Sequence, residues 1–222
     1  MKTFDEKWEE IHKEQEWGKY PAEEVIRFVA RNFYKSDRKD IKILDFGCGT
    51  GAVTWFIARE GFNAYGFDGS KTAIEKAKNR MRDEGVKAKL YVADAGNIPF
   101  ESDYFDAIID SAVIYANKIN SIKNILNEIN RVLKSGGKIM STGLFNFKTS
   151  GYDTGKKIEE GTYRELKEGV LAHRGTVHFF SREEIQNIWE GAGFKNIKID
   201  SVERTDMGGK YNVGFFIVEA EK

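Results

Sequence analysis

The stretch from Ile41 to Asp68 constrains the fold of this chain more than any other. Ile41, Ile43 and Leu44, alternating with Lys42, make an apolar run suited to a buried strand, and Asp45-Phe46 leads from it into Gly47-Cys48-Gly49-Thr50-Gly51. Ala52, Val53, Phe56 and Ile57 then recur at helical spacing, Gly61 stops them, and a second apolar run from Ala64 to Phe67 ends on Asp68. The pattern predicts a strand, a loop, a helix and a second strand with an acid at its tip. Glycines in such a loop admit backbone conformations and close ligand approach that a Cβ would block, and the helix after them offers unpaired N–H groups. Asp68 is placed to accept hydrogen bonds from two vicinal ribose hydroxyls, so the unit reads as a nucleoside site.

Two cofactor classes use this arrangement. Gly47, Gly49 and Ala52 fit G-x-G-x-x-G/A, which keeps NAD and an NAD(P)-dependent oxidoreductase open as an alternative. The whole run Asp45 to Gly51 resembles the first motif of class I S-adenosylmethionine-dependent methyltransferases. An acid two residues before the first glycine would repel a pyrophosphate, whereas it suits the ammonium and sulfonium of S-adenosylmethionine. The resemblance covers Ile41 to the C-terminus outside one insertion. It implies an α/β, Rossmann-like domain with a seven-stranded, mostly parallel sheet, an antiparallel last strand and helices on both faces. It also implies cofactor contacts at Asp45, Gly47, Cys48, Gly49, Gly51 and Asp68, with Gly69 and Ser70 beside them. Asp94 and Ala95, after the third strand (Ala88 to Ala93), would meet the adenine, with Ile98 nearby.

The remaining chain supplies elements around this unit. Residues 1–40 read as a helical arm: Phe4, Trp8, Ile11 and Gln15 are at helical spacing, and Pro21 suits the first turn of a helix through Val25, Phe28, Val29 and Phe33. Trp17 and Tyr20 either line the site, as N-terminal helices do in the family resembled, or pack the arm onto the domain at 41–222. A helix from Ile74 to Met81 should end near Gly85. Phe105 to Ser111 reads as the fourth strand, with Asp110 and Ser111 at its ligand-facing end. Ile122, Ile125, Leu126, Ile129, Val132 and Leu133 make one stripe of a helix, which Gly136-Gly137 should cap before a fifth strand from Ile139 to Phe145. Asn146 to Phe180 is too long for an ordinary connection and is expected to be a cap over the substrate, or an oligomer contact. Ser181 to Glu184 is a capping-box signature for a helix ending at Gly193, and two closing strands without an intervening helix imply an antiparallel final strand.

Charge and chemistry narrow the acceptor. Lys plus Arg and Asp plus Glu number 35 each, so the molecule has no overall preference for polyanions, and a nucleic-acid partner is not expected. The Asp/Asn-Pro-Pro-Tyr tetrad of base-amine methyltransferases is absent, as is a cytosine-type Pro-Cys. No apolar run reaches the length of a membrane helix and no signal-peptide core is present, so a cytoplasmic protein is expected. The lone Cys48 reads as a small loop residue. If a hydroxyl or protonated amine is the acceptor, a base must take its proton, and His178, His173 and Asp110 are the candidates, with His178 favoured and His12 set aside as remote. No metal-ligand cluster is recognisable. The expectation is methyl transfer from S-adenosylmethionine to an O or N of a small molecule, with a homodimer left open. Against an oxidoreductase, Tyr115 is followed by Ile119 where a Tyr-x-x-x-Lys pair would need lysine. A catalytically inert S-adenosylmethionine-binding partner subunit is the remaining alternative.

Overall fold

In a computed structural model, which describes residues 2–35 and 37–222, the chain builds one large sheet with helices on both faces. Ser36, expected in the connection before the first strand, and Met1 lie outside the described residues. The strands are β1 (Lys42–Phe46), β2 (Asn63–Asp68), β3 (Lys89–Val92), β4 (Phe105–Ser111), β5 (Leu133–Phe145), and, after three short strands, β9 (Lys195–Asp206) and β10 (Tyr211–Glu221). Their order is β3-β2-β1-β4-β5-β10-β9 in a seven-stranded sheet. β1 pairs in parallel with β2 and β4, while β10 runs antiparallel to both β5 and β9. The expected sheet, including its antiparallel last strand, is the one observed. As its apolar sequence requires, β10 is the buried member of the closing pair, and β9 forms the more exposed edge.

Alternation along the strands divides the core. Ile43, Ala64, Ala107, Ile109 and Met140 face α2 (Glu23–Phe33) and α3 (Ala52–Arg59), which contribute Phe28, Val29, Val53 and Ile57. Leu44, Phe46, Phe67, Ile108 and Ile139 face the other way, onto α5 (Ile119–Val132) and α6 (Arg182–Gly191). A full-length apolar stripe explains each docked helix: burying one such large side chain is worth about 1.5–3 kcal/mol. α1 (Lys7–Glu14) and α4 (Lys71–Asp83) complete the helices. No described helix is long and apolar enough to cross a membrane.

Local details depart from the sequence reading in three places. α5 ends at Val132, and Leu133, extended rather than left-handed, already pairs with Phe105. Gly136 (φ +72°) and Gly137 therefore serve a bulge between the Phe105–Leu133 and Ala107–Lys138 pairs, not a helix cap. A Cβ on Gly137 would lie 2.8 Å from the Lys134 carbonyl oxygen. Ser181 caps α6 through its hydroxyl, but Glu184 reaches His178 instead of closing a reciprocal box. The segment expected as an insertion carries β6 (Lys156–Glu159), β7 (Thr162–Arg164) and β8 (Thr176–His178), a separate antiparallel sheet, and Tyr163, Leu166, Val177 and Phe179 of this segment join the core that also holds Ile108 and Ile139.

Candidate functional site

Parallel strands end at one edge of the sheet, and the carboxyl ends of β1, β2 and β4 open there onto a cavity of about 500 Å³. The loop after β1 forms its floor. Gly47, Gly49 and Gly51 all have positive φ, at +63°, +50° and +84°, which lets the loop turn tightly and start α3. Gly47 also faces Val113, whose Cγ2 would lie 2.5 Å from a Cβ there, so the segment after β4 closes directly onto the loop. Gly66 plays a related part inside β2: without a Cβ it lets Thr54 settle on the sheet, where a Cβ would meet the Thr54 hydroxyl at 2.8 Å.

That approach positions Asp45. Its Oδ2 accepts from the Thr54 N–H (2.8 Å) and hydroxyl (2.6 Å), while Oδ1 has no hydrogen bond among the described residues and the side chain lines the cavity. Burial pushes its carboxyl up to about 7, an effect the Thr54 bonds offset only in part. Asp68, only 8% exposed, accepts from the Gly49 N–H (2.9 Å) and the Ser70 N–H (2.8 Å), one on each oxygen. Each oxygen keeps a lone pair for a ligand, and burial raises this carboxyl too.

The cavity gathers many of the expected contacts. Asp45, Gly47, Cys48, Gly49, Asp68, Gly69, Ala95 and Ser111 line it, as do Trp17 and the 73% exposed Tyr20, whose ring meets Trp55 edge-on. Cys48 is buried, which pushes its thiol well above the ordinary range. Gly51, Ser70 and Asp94 do not line the cavity. Gly51 is the left-handed cap of α3, facing Ala77 of α4. Ser70 is fully buried, accepts from the Ala73 N–H to cap α4 and donates to Glu9. The Asp94 carboxylate is taken up by the arm: it accepts from the Thr3 N–H and hydroxyl, the Phe4 N–H and the Gly96 N–H, at 2.8–3.1 Å. Thr3 and Phe4 fill the place expected of an adenine contact, with the Phe4 ring lying against Gly69.

The three expected bases do not line the cavity. His178 is 0% exposed, with Nδ1 on the Thr162 hydroxyl (2.7 Å) and Nε2 on Glu184 (3.0 Å), so neither nitrogen is free. His173 sits exposed in a turn at φ +59°. Asp110 is sealed beneath the strand edge, where its Oδ1 accepts from the Val113 and Ile114 N–H groups and burial raises it to about 7. The histidine at the cavity is His12. It is 6% exposed, packs over Gly49 and has a buried Nδ1 without a partner, and burial lowers its pKa against the pull of Asp68 and Glu9. Trp8 and His12 stand one turn apart on α1, a pairing visible in the sequence, but only the docking of the arm shows what they face. Tyr115, Arg174 and Arg204 also line the cavity. Among the described residues no three His, Cys, Asp or Glu side chains group as a metal site would require.

Comparison with known proteins bears on what such a cavity holds. Residues 43–137 match a family described as a methyltransferase domain. The uncharacterized methyltransferase YodH of Bacillus subtilis is 33% identical over 101 residues, 46% of this chain and 42% of that protein. Over residues 43–137 the chain is thus similar to methyltransferase domains, and it shares its fold with a solved SAM-dependent methyltransferase. A Methanosarcina mazei structure described as a SAM-dependent methyltransferase shares the fold at a TM-score of 0.71 and 22% identity, over 91% of this chain and 98% of that one. A Haemonchus contortus phosphoethanolamine N-methyltransferase solved with S-adenosylmethionine shares it at 0.67 and 19%, over 90% of this chain and 52% of that one. The chain thus spans about half or less of two of these relatives.

The residues present suit that cofactor. Gly47 and Gly49 form a cradle that Cβ atoms would fill, and Asp45 offers an unpartnered carboxylate oxygen in a low-dielectric wall.

Proposed function

We propose that this chain transfers the methyl group of S-adenosylmethionine to an O or N atom of a small molecule held in the same cavity. The observation that carries the reading is the pair Asp45 and Asp68, on adjacent parallel strands, in the wall of a cavity floored by Gly47 and Gly49. Asp45 would hold the cofactor's ammonium through Oδ1, and Asp68 would accept from the ribose hydroxyls with the lone pairs left beside its two backbone bonds. The bound cofactor supplies an activated carbon on a sulfonium, so the protein's task is to place the acceptor on axis and exclude water.

The cavity volume of about 500 Å³ supports a small acceptor. Residues 1–40 act as an arm over the domain at 41–222, with Thr3, Phe4, Trp8 and Trp17 in the wall, and residues 146–180 act as the substrate cap through Val170, Leu171 and Arg174. His12 takes over from His178 as the candidate base, because its imidazole lines the cavity, burial lowers its pKa and its Nδ1 has no partner among the described residues. Calorimetric titration with S-adenosylmethionine, S-adenosylhomocysteine and NAD(H) tests the assignment. Both adenosyl ligands should bind and NAD(H) should not, after which an acceptor screen of hydroxyl and amine metabolites reads turnover; binding of NAD(H) alone would sink the proposal.

A further inference from the structure

The cavity wall carries charge of both signs. Asp45 and Asp68 stand at the loop end, whereas Arg174 and Arg204 stand in the wall contributed by the insertion and the β9–β10 hairpin. Arg174 is the more enclosed of the two arginines. Its Nε donates to the Val170 carbonyl (3.3 Å), and neither of its Nη atoms makes a hydrogen bond or ion pair among the described residues. The nearby Asp5 is engaged elsewhere, with the Lys7 N–H, the Thr176 hydroxyl and Arg164. Asp206, which also lines the cavity, accepts from the Met207 N–H.

The guanidinium is held rather than loose. Its carbon lies 5.3 Å from the Trp17 ring and 6.0 Å from the Trp8 ring, and it is close enough to the buried Tyr115 to pull that phenol down against the burial that raises it to about 12. The Tyr115 hydroxyl has no hydrogen-bond partner among the described residues and lies in the cavity wall. A half-buried cation with a planar fork of free donors, a phenol beside it and indole walls around it form a site for an oxyanion attached to an apolar or aromatic body. Phe145, Val170, Leu171 and Val213 supply apolar lining.

We propose that Arg174 anchors a carboxylate or phosphate group of the methyl acceptor, with Tyr115 as a second donor and Trp8 and Trp17 as walls. The acceptor class is then a small anion with an apolar body. The inference rests on the methyltransferase reading, which places the cofactor at the Asp45–Asp68 end. The cofactor's own carboxylate is the other oxyanion the cavity must house, and the experiment separates the two.

The protein is saturated with S-adenosylhomocysteine and titrated with phenyl phosphate, benzoate and the neutral benzyl alcohol at matched ionic strength. Tryptophan fluorescence is the readout, and Trp17→Phe assigns the signal. Saturable quenching by the anions but not by benzyl alcohol is expected. Arg174→Gln should weaken it by about tenfold or more, as loss of a charge-assisted hydrogen bond does, with Arg174→Lys between the two and S-adenosylhomocysteine affinity unchanged in both. Equal anion affinity in Arg174→Gln, no saturable response in the wild type, or equal binding of benzyl alcohol overturns the proposal. Arg174→Gln weakening S-adenosylhomocysteine but not methylthioadenosine, which lacks the carboxylate, would assign the guanidinium to the cofactor and overturn it as well. A wild type that binds no adenosyl ligand at all overturns the methyltransferase reading, and this inference with it.

Discussion

On the proposed reading, Asp45 couples cofactor binding to protons. Its carboxyl is raised to about 7 by burial, so below that pH the ligand-free protein holds it protonated, and a cationic ligand requires it ionised. S-adenosylmethionine binding at pH 6 should release a proton fraction that calorimetry in buffers of different ionisation enthalpy detects, and Asp45→Asn should abolish that release. The same variant should weaken binding by roughly 10- to 100-fold, in line with the 1.5–3 kcal/mol of a hydrogen bond to a charged group. Gly47→Ala places a Cβ 2.5 Å from Val113 at a φ of +63°. It should lower the unfolding free energy by about 1–3 kcal/mol, read from the urea midpoint. His178 gives the contrasting case. His178→Ala removes a fully buried ring bonded to Thr162 and Glu184, so the loss should appear as roughly 2–4 kcal/mol of stability, while the pH profile of turnover keeps its shape.

At the scale of elements, the arm and the insertion wall in the open sheet edge and make it a cavity. Among the bonds that latch the arm are those of Thr3 and Phe4 to Asp94 and of Glu9 to the Ser70 and Thr72 hydroxyls, and the latter hold the Glu9 carboxyl down at about 2. A cofactor that enters beneath the arm must wait for it to open. Asp94→Asn weakens one latch without touching the cavity wall. Stopped-flow release of S-adenosylhomocysteine should therefore accelerate by about tenfold, the scale of one charge-assisted bond, and limited proteolysis should cut sooner within residues 3–20. An unchanged release rate would show that the arm is not the gate. The glycine pair at 136–137 carries a related lesson: sequence reading placed it at a helix cap, but β4 pairing captured Leu133 and turned the glycines into a bulge. Tertiary pairing outweighs a local capping preference because it satisfies several backbone groups at once.

For the whole molecule, Asp45 and Asp110 shape stability against pH. Both fold with carboxyls raised to about 7 from an ordinary 3.8. Between those values the native state binds more protons than the unfolded chain, so their contribution to stability falls as pH rises through the window. A bound cation at Asp45 reverses that share, so the rise in Tm produced by saturating S-adenosylmethionine should be larger at pH 8 than at pH 6. Equal shifts at the two pH values would remove Asp45 from the ligand contact. Whereas the strand order came only with the structure, the strands and the antiparallel β10 could be read from the chain itself, because strands buried on both faces are written as apolar runs and a helix-free connection forces reversal. So could the loop and the acids Asp45 and Asp68, since a positive-φ turn next to a ligand restricts residue type locally. The partners that meet across long sequence distances could not. His12, Trp8 and Arg174 reach the cavity, and His178 is withdrawn from it, only through the docking of the arm and the small β6–β8 sheet. A sequence records local conformational preference and the face each element must bury, whereas which polar groups converge on a cavity is decided by how those buried faces pack.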